Sequence, residues 1–259
     1  MSTSIRLEII GQVAKITLSR PEVYNSFNRE MALRMQAALD ESESRKDVRA
    51  IYLIGAGKAF CAGQDLQEVV DPDGPSLPTI LGEHYNPIIR RLREIEKPVV
   101  CAVNGVAAGA GANIALCCDV TVAAESASFI QAFSKIGLIP DSGGTYFLPR
   151  IIGWQKASAL MMLGDKVSAS EAASLGMVYK VFSDESFETE SWKIVETLAN
   201  LPTMGLGFTK RALNLSASNS LEKQLATEEQ LQTAAGETAD FGEGVRAFLE
   251  KRKPVFRGE

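Results

Sequence analysis

The sequence predicts an α/β fold with mostly parallel strand pairing, and three observations carry that prediction. Short runs rich in β-branched and other apolar residues recur at 5–10, 13–18, 50–55, 98–105 and 119–123. Stretches with apolar residues at helical spacing lie between them, and strands alternating with helices pack as a parallel sheet covered by helices. From Leu201 onward the strand signals vanish and only helical patterns remain.

The first two runs, Ile5 to Ile10 and Val13 to Leu18, are separated by Gly11-Gln12, which predicts a hairpin. Ser19-Arg20-Pro21 closes the second run, because proline has no N–H with which to continue a central strand. Asn28 or Ser26 can cap a helix in which Met31, Met35, Ala38 and Leu39 share one face. The runs at 50–55, 98–105 and 119–123 then read as buried strands. Two segments fall outside this rhythm. The proline-rich stretch 71–78 reads as a loop near a site entrance, and Pro202 opens a region with helices around 210–213 and 241–253. The reading divides the chain into a core, 1–200, and a helical C-terminal region, 201–259.

At 259 residues the chain is long enough for one large domain or a domain with an appendage. Its net charge of −5, with no Lys/Arg block, argues against a nucleic-acid partner. Of the four cysteines, Cys61, Cys101, Cys117 and Cys118, three lie in apolar runs, which suits buried free thiols in a reducing compartment. With the single histidine, His84, neither a His-based triad nor a His/Cys zinc site is readily built, so no metal is expected. His84 itself reads as a loop or surface residue, and Trp154 and Trp192 as packing residues. No basic-then-apolar leader is visible at the N-terminus, and the long apolar stretch 98–118 is interrupted by Asn104, Asn113 and several glycines. A cytoplasmic protein without a membrane partner is expected.

Three segments have the composition of a reaction site. In Ala59-Phe60-Cys61-Ala62-Gly63-Gln64-Asp65-Leu66, small residues after a strand let a ligand approach free backbone amides, although an ordinary strand-to-helix turn has the same composition. In Asn104-Gly105-Val106-Ala107-Ala108-Gly109-Ala110-Gly111-Ala112-Asn113, a strand runs through tiny side chains into a helix whose first N–H groups suit a developing oxyanion. Tight helix–sheet packing would explain that run equally, and the incomplete glycine pattern excludes a dinucleotide fingerprint. In Gly137-Leu138-Ile139-Pro140-Asp141-Ser142-Gly143-Gly144, one carboxylate stands among glycines, a proline and apolar residues. A lone aspartate in a turn more often caps than catalyses. Two backbone donors and one carboxylate would together make a proton-transfer site, and spacing alone does not bring the three segments together.

The chain resembles the crotonase, or enoyl-CoA hydratase/isomerase, superfamily nearly end to end. The likeness rests on Ser19-Arg20-Pro21-Glu22-Val23-Tyr24-Asn25-Ser26, on Phe60-Cys61-Ala62-Gly63-Gln64-Asp65-Leu66, on Asn104 through Gly111, on Gly137 through Thr145, on Leu163-Gly164-Asp165 with Ala169 to Gly176, and on Phe248-Leu249-Glu250-Lys251-Arg252-Lys253-Pro254. It implies a crotonase-like spiral of ββα repeats followed by a helical C-terminal trimerisation region, and a homotrimer or hexamer. It implies an oxyanion hole from the amides of Gln64 and Ala110, and an acyl-CoA substrate bent over Gln64, Asp65, Leu66 and Gln67. The CoA end would lie near Arg20, Val23 and Ala62, with Lys251 reaching the phosphates. No separate cofactor is implied, since the CoA thioester is the substrate.

The departures from the family pattern narrow the chemistry. Where enoyl-CoA hydratases carry two water-activating glutamates, this chain has Asn113 and Phe133, and neither is an acid or base at neutral pH. An acid stands instead at Asp141, where isomerase and dehalogenase branches place an aspartate. The segments 104–112, 132–141 and 143–145 resemble the phenylacetate-pathway branch, which converts ring-1,2-epoxyphenylacetyl-CoA to oxepin-CoA and also moves a 3-enoyl double bond into conjugation. The resemblance therefore implies an isomerase in which Asp141, its pKa raised by burial among Phe133, Ile139 and Pro140, moves a proton next to an oxyanion hole. The alternatives are an aspartate nucleophile, a hydratase using Asp141 with a water on Asn113, and a non-catalytic acyl-CoA- or RNA-binding relative.

Overall fold

The computed structural model describes residues 3–259. The first two apolar runs form an antiparallel hairpin, β1 (Ile5–Ile10) and β2 (Val13–Leu18), turned at Gly11 with φ 58°. Helix α1 (Arg29–Ser44) starts at Asn28, whose side-chain oxygen accepts from Met31 N at 3.0 Å, so the cap is Asn28 and not Ser26. Its apolar face, with Met31, Met35, Ala38 and Leu39, is buried. There follow β3 (Ala50–Gly55), β4 (Ala59–Cys61), the short helices α2 (Leu66–Val70) and α3 (Leu77–Thr79), a π-turn at Ile80–Tyr85, and α4 (Asn86–Glu94). Then come β5 (Val99–Val103), β6 (Val106–Ala108), α5 (Ala110–Leu116), β7 (Val120–Ala124) and β8 (Ser128–Ile130). After a 3-10 turn at Ala132–Ile136, the chain forms α6 (Gly144–Ile152), α7 (Trp154–Leu163), β9 (Lys166–Ser168), α8 (Ala169–Ser174), β10 (Lys180–Phe182) and α9 (Phe187–Ala199). Three helices complete it: α10 (Thr203–Ser216), α11 (Leu221–Gly236) and α12 (Ala239–Leu249).

The strands sort into two sheets. The larger has the order β1-β2-β3-β5-β7-β10 and is parallel from β2 onward, and the smaller has the order β4-β6-β8-β9, with β9 antiparallel to β8. Each pair of successive strands, β3 with β4, β5 with β6 and β7 with β8, puts its first member in the large sheet and its second in the small one. The chain thus winds as a spiral of ββα turns. Every residue of β3 and β5 is buried, which is why these runs are apolar without alternation. The strand expected over 98–105 stops at Val103, because Asn104 leaves the ladder: its side-chain oxygen accepts from Gly55 N at 3.0 Å and its amide donates to Gly57 O at 3.0 Å.

The interrupted apolar stretch is core, and all four cysteines are free and buried. Among the described residues no helix is long and apolar enough to cross a membrane. Helix α10 is tied to the strands by Lys210 Nζ on Asp119 at 2.8 Å, and by buried Arg49, which donates to Thr203 Oγ1 and Phe256 O at 2.8 Å each. Two expectations fail. His84 is buried in the π-turn, only 1% exposed, and Trp154 is 78% exposed where packing was expected. Trp192 does pack, edge-on against Tyr52 with ring centroids 5.2 Å apart.

Candidate active site

The turns between the two sheets bring the three candidate segments together. Asn25, fully buried with φ 57°, organises the first: its amide donates to Ala56 O and Ala59 O and its oxygen accepts from Arg20 N. The chain beyond it zips onto the end of β4 through Ala62 N to Tyr24 O, Phe27 N to Gly63 O and Asp65 N to Phe27 O, at 2.7–3.0 Å. In this parallel bridge Phe27 bonds on either side of Gln64, so the Gln64 N–H is directed away from it. Across a narrow gap lies the start of α5: a Cβ placed on Gly63 would stand 3.4 Å from Ala110 N. Ala110 is the first residue of its helix, so its N–H has no intrahelical acceptor, and no side chain caps it. The Gln64 N–H, directed away from Phe27, and the uncapped Ala110 N–H thus lie on segments that approach each other at Gly63.

Asn113 links that gap to the third segment. It lies three residues along α5 from Ala110, on the same helical face, and is fully buried. Its amide donates to the main-chain oxygen of Asp141 at 2.9 Å, and its own oxygen accepts from Gln131 Nε2 at 2.7 Å. The approach is close enough to require Gly144, where a Cβ would fall 2.4 Å from Asn113 Nδ2. The Asp141 oxygen also accepts from Gly144 N at 2.8 Å, and Ser142, held at φ 51°, donates its hydroxyl to Asp141 Oδ1 at 2.9 Å. Burial pushes the Asp141 carboxyl above the ordinary carboxylate value, and the Ser142 hydroxyl holds it back in part.

One enclosing residue differs from the expectation. Ile139 is 81% exposed and contributes no wall, whereas Phe133 is buried with its ring edge beside Gly109. Among the described residues no three His, Cys, Asp or Glu side chains group as a metal would need.

Comparisons with known proteins identify the family. A family model described as enoyl-CoA hydratase/isomerase matches residues 8–259. This chain belongs to the enoyl-CoA hydratase/isomerase family. It is 48% identical, over 95% of both chains, to 1,2-epoxyphenylacetyl-CoA isomerase of Escherichia coli K12. It is 46% identical, over 98% of both, to a protein of Rhodobacter capsulatus named "Probable enoyl-CoA hydratase". Among solved structures, an enoyl-CoA hydratase from Bacillus anthracis superposes with a TM-score of 0.92 at 32% identity, covering 99% of this chain and all of that one. The spiral is the crotonase fold, and the protein is an enzyme of a family that acts on acyl-CoA thioesters.

The other residues singled out from sequence take varied places in this crotonase. Arg20 reaches the site, but its guanidinium is engaged: it donates to Ser26 O at 2.7 Å and to Asp65 Oδ2 at 2.8 Å, with both side chains largely shielded from solvent. Asp65 also caps α2 by accepting from Gln67 N at 3.1 Å, so both of its carboxylate oxygens are engaged in fixing the loop. Val23 sits in the turn before Asn25, Ala62 is bonded to Tyr24, and Leu66 is exposed at the start of α2. Lys251 comes after α12 with φ 56°, and its exposed ammonium has no hydrogen-bond or ion-pair partner among the described residues.

Tyr85 and Glu68 were not picked out from sequence. The buried Tyr85 hydroxyl donates to Gln64 Oε1 at 3.0 Å, and Glu68 accepts from Gln64 Nε2 at 2.9 Å and from Arg29 N at 2.8 Å. No local pattern announces either residue, since both reach Gln64 from helical turns whose tilt is a tertiary matter.

Proposed function

We propose that this enzyme is an acyl-CoA isomerase, acting on ring-1,2-epoxyphenylacetyl-CoA to give oxepin-CoA and on 3-enoyl-CoA to give the conjugated 2-enoyl isomer. The observation that carries the reading is a partly buried carboxylate, Asp141, whose main chain is held by Asn113 one helical turn from the Ala110 amide, where the hydratase glutamate positions hold Asn113 and Phe133. Asn113 is tied to Asp141 O and Gln131, and Phe133 is apolar, so neither activates water.

In the mechanism the thioester oxygen accepts from the amides of Gln64 and Ala110. The Asp141 carboxylate removes a proton from the α-carbon, and the electrons of that C–H bond move into the thioester as an enolate. With a 3-enoyl substrate the enolate electrons return through the chain, the double bond re-forms between the α- and β-carbons, and Asp141 delivers the proton to the γ-carbon. With the ring epoxide, the carbon–carbon bond shared by the epoxide and the six-membered ring breaks as the ring π-electrons rearrange, giving the seven-membered oxepin with both C–O bonds intact. Asp141 takes the α-proton, the electrons form a double bond between the α- and β-carbons, and the proton returns to the ring carbon γ to the thioester, as in the 3-enoyl case, a net isomerisation. Losing one amide of such a pair costs roughly 3 kcal/mol in the transition state. Burial, which raises the Asp141 pKa, makes it the stronger base.

The acyl-CoA would run along Ala62, Gln64, Asp65, Leu66 and Gln67, past Arg20 and Val23, with Lys251 on the CoA phosphates. We further place the enzyme in a homotrimer or hexamer. Supporting this is an apolar groove of about 440 Å³ between α10 and α12, lined by Phe241, Val245, Phe248, Leu249 and Phe256.

The test is a paired assay with 3-hexenoyl-CoA and 2-hexenoyl-CoA. The expected result is formation of the conjugated product from the first, negligible hydration of the second, and loss of turnover in Asp141→Asn with acyl-CoA binding retained. Rapid hydration of 2-hexenoyl-CoA, or turnover surviving in Asp141→Asn, would overturn the reading.

A further inference from the structure

Tyr85 lies outside the set of groups that the proton transfer requires, yet the structure builds a distorted helix to present it. Between α3 and α4 the chain makes a π-turn, in which Asn86 N bonds to Leu81 O five residues back and not four. Such turns add one residue to the helical register and rotate the side chains beyond them, and they persist where the rotated side chain has a use. Here α1 secures the turn from outside: Gln36 Nε2 donates to Glu83 O at 2.7 Å and to His84 O at 3.2 Å, and Arg29 meets His84 Nε2 at 3.3 Å. The residue delivered by the turn is Tyr85, fully buried, its ring 5.9 Å from that of Phe27.

We propose that Tyr85 is a positioning residue of the oxyanion site: its hydroxyl, presented by the π-turn, fixes the Gln64 side chain and so aims the Gln64 N–H at the thioester oxygen. Three constraints meet at Gln64. Phe27 brackets its backbone, Glu68 accepts from its Nε2 at 2.9 Å, and Tyr85 donates to its Oε1 at 3.0 Å. With both ends of the carboxamide held, the residue cannot rotate about its backbone when a substrate oxygen pulls on the amide, and a pre-aimed donor needs no reorganisation during the reaction. The hydroxyl keeps its proton, because burial first, and then the negative fields of Asp141, Glu68 and Asp65, hold the phenol well above its usual value. It therefore remains a donor across the working pH range. The proposal rests on the isomerase reading for its effect on turnover, but its geometric content does not.

The experiment uses the full chain and two readouts. Tyr85→Phe removes only the hydroxyl, and Gln64→Leu removes the acceptor from the other side. On 3-hexenoyl-CoA Tyr85→Phe should lower kcat about fivefold to tenfold, the worth of one hydrogen bond acting on the transition state, and Gln64→Leu, which also loses the bond to Glu68, by at least as much, with KM within about twofold in each. The double variant should lose no more than Gln64→Leu alone, since the Tyr85 hydroxyl acts only through the Gln64 carboxamide. The second readout is the absorbance shift of bound 2,4-hexadienoyl-CoA, which reports polarisation of the thioester by the oxyanion amides and needs no turnover. Tyr85→Phe and Gln64→Leu should both shrink that shift, and Asp141→Asn should leave it intact. An unchanged shift in folded Tyr85→Phe, or fully additive losses in the double variant, would overturn the proposal. A wild type that polarises the dienoyl group but turns over neither hexenoyl substrate would overturn the isomerase reading and leave the role of Tyr85 supported.

Discussion

Replacing Asn113 by alanine tests how the proton-transfer carboxylate is held. The side chain is fully buried, and its removal deletes the bond from Nδ2 to Asp141 O and the bond from Gln131 Nε2 to Oδ1. The two lost bonds are not equivalent. Asp141 O keeps its second donor, Gly144 N, so that loss is about 1 kcal/mol. Gln131 has no other side-chain partner: its Oε1 is already unsatisfied and buried, and deleting Asn113 strands Nε2 as well, at about 2 kcal/mol. The sum, about 3 kcal/mol, corresponds to a melting-temperature drop of roughly 6–12 °C in a chain of this size. Freed from Asn113, the Asp141 turn should also drift, and a displacement of about 1 Å costs up to roughly 100-fold in rate. Thermal unfolding with turnover of 3-hexenoyl-CoA measures both. A control separates the contributions: Gln131→Leu in the Asn113→Ala background removes the stranded amide and should recover stability but not turnover. A melting temperature within about 2 °C of wild type for Asn113→Ala, or no recovery in the double variant, would refute this account of the buried amide pair.

Three further outcomes are expected, two at Asp141 and one at the Arg20–Asp65 pair. Because burial raises the Asp141 pKa in the folded chain, the fold prefers the neutral acid: the stability linked to this group is greatest below the unfolded value of 3.8 and is lost as pH rises through the folded value. Asp141→Asn should therefore melt higher than wild type at pH 7, with the gap closing in acid, while the acidic limb of kcat/KM for wild type falls at a pH above 3.8. Thermal melts at several pH values check the first expectation, and a variant less stable than wild type at pH 7 would contradict it. Arg20→Met should cost about 2–3 kcal/mol, since it leaves the shielded Asp65 carboxylate and Ser26 O without their donor, and Arg20→Met with Asp65→Leu should regain part of it by chemical denaturation.

Much of this enzyme was legible in its sequence, for local reasons. The hairpin, α1 with its cap at Asn28 or Ser26 and the buried strands β3, β5 and β7 are dictated by turn residues, capping chemistry and apolar runs, which act within a few residues of themselves. The site segments were visible as unusual composition: glycines and alanines around Gln64 and Ala110, and one acid among apolar neighbours at Asp141. Their joint meaning came from the resemblance to a family, not from spacing. The three-residue strands β4, β6, β8 and β9 were not readable from pattern alone, because so short a run shows no period and is stabilised only by the neighbours it pairs with.

What only the tertiary structure decided is how those segments meet. The gap between Gly63 and Ala110, the clamp of Asn113 on Asp141, the engagement of Arg20 by Asp65 and the delivery of Tyr85 to Gln64 each join residues far apart along the chain. The burial of His84 and the exposure of Ile139 and Trp154 have the same origin. Residue type sets what a side chain can do, and local pattern sets which helix or strand carries it. Its surroundings depend on the angles at which those elements pack, a property of the whole spiral that no single segment contains.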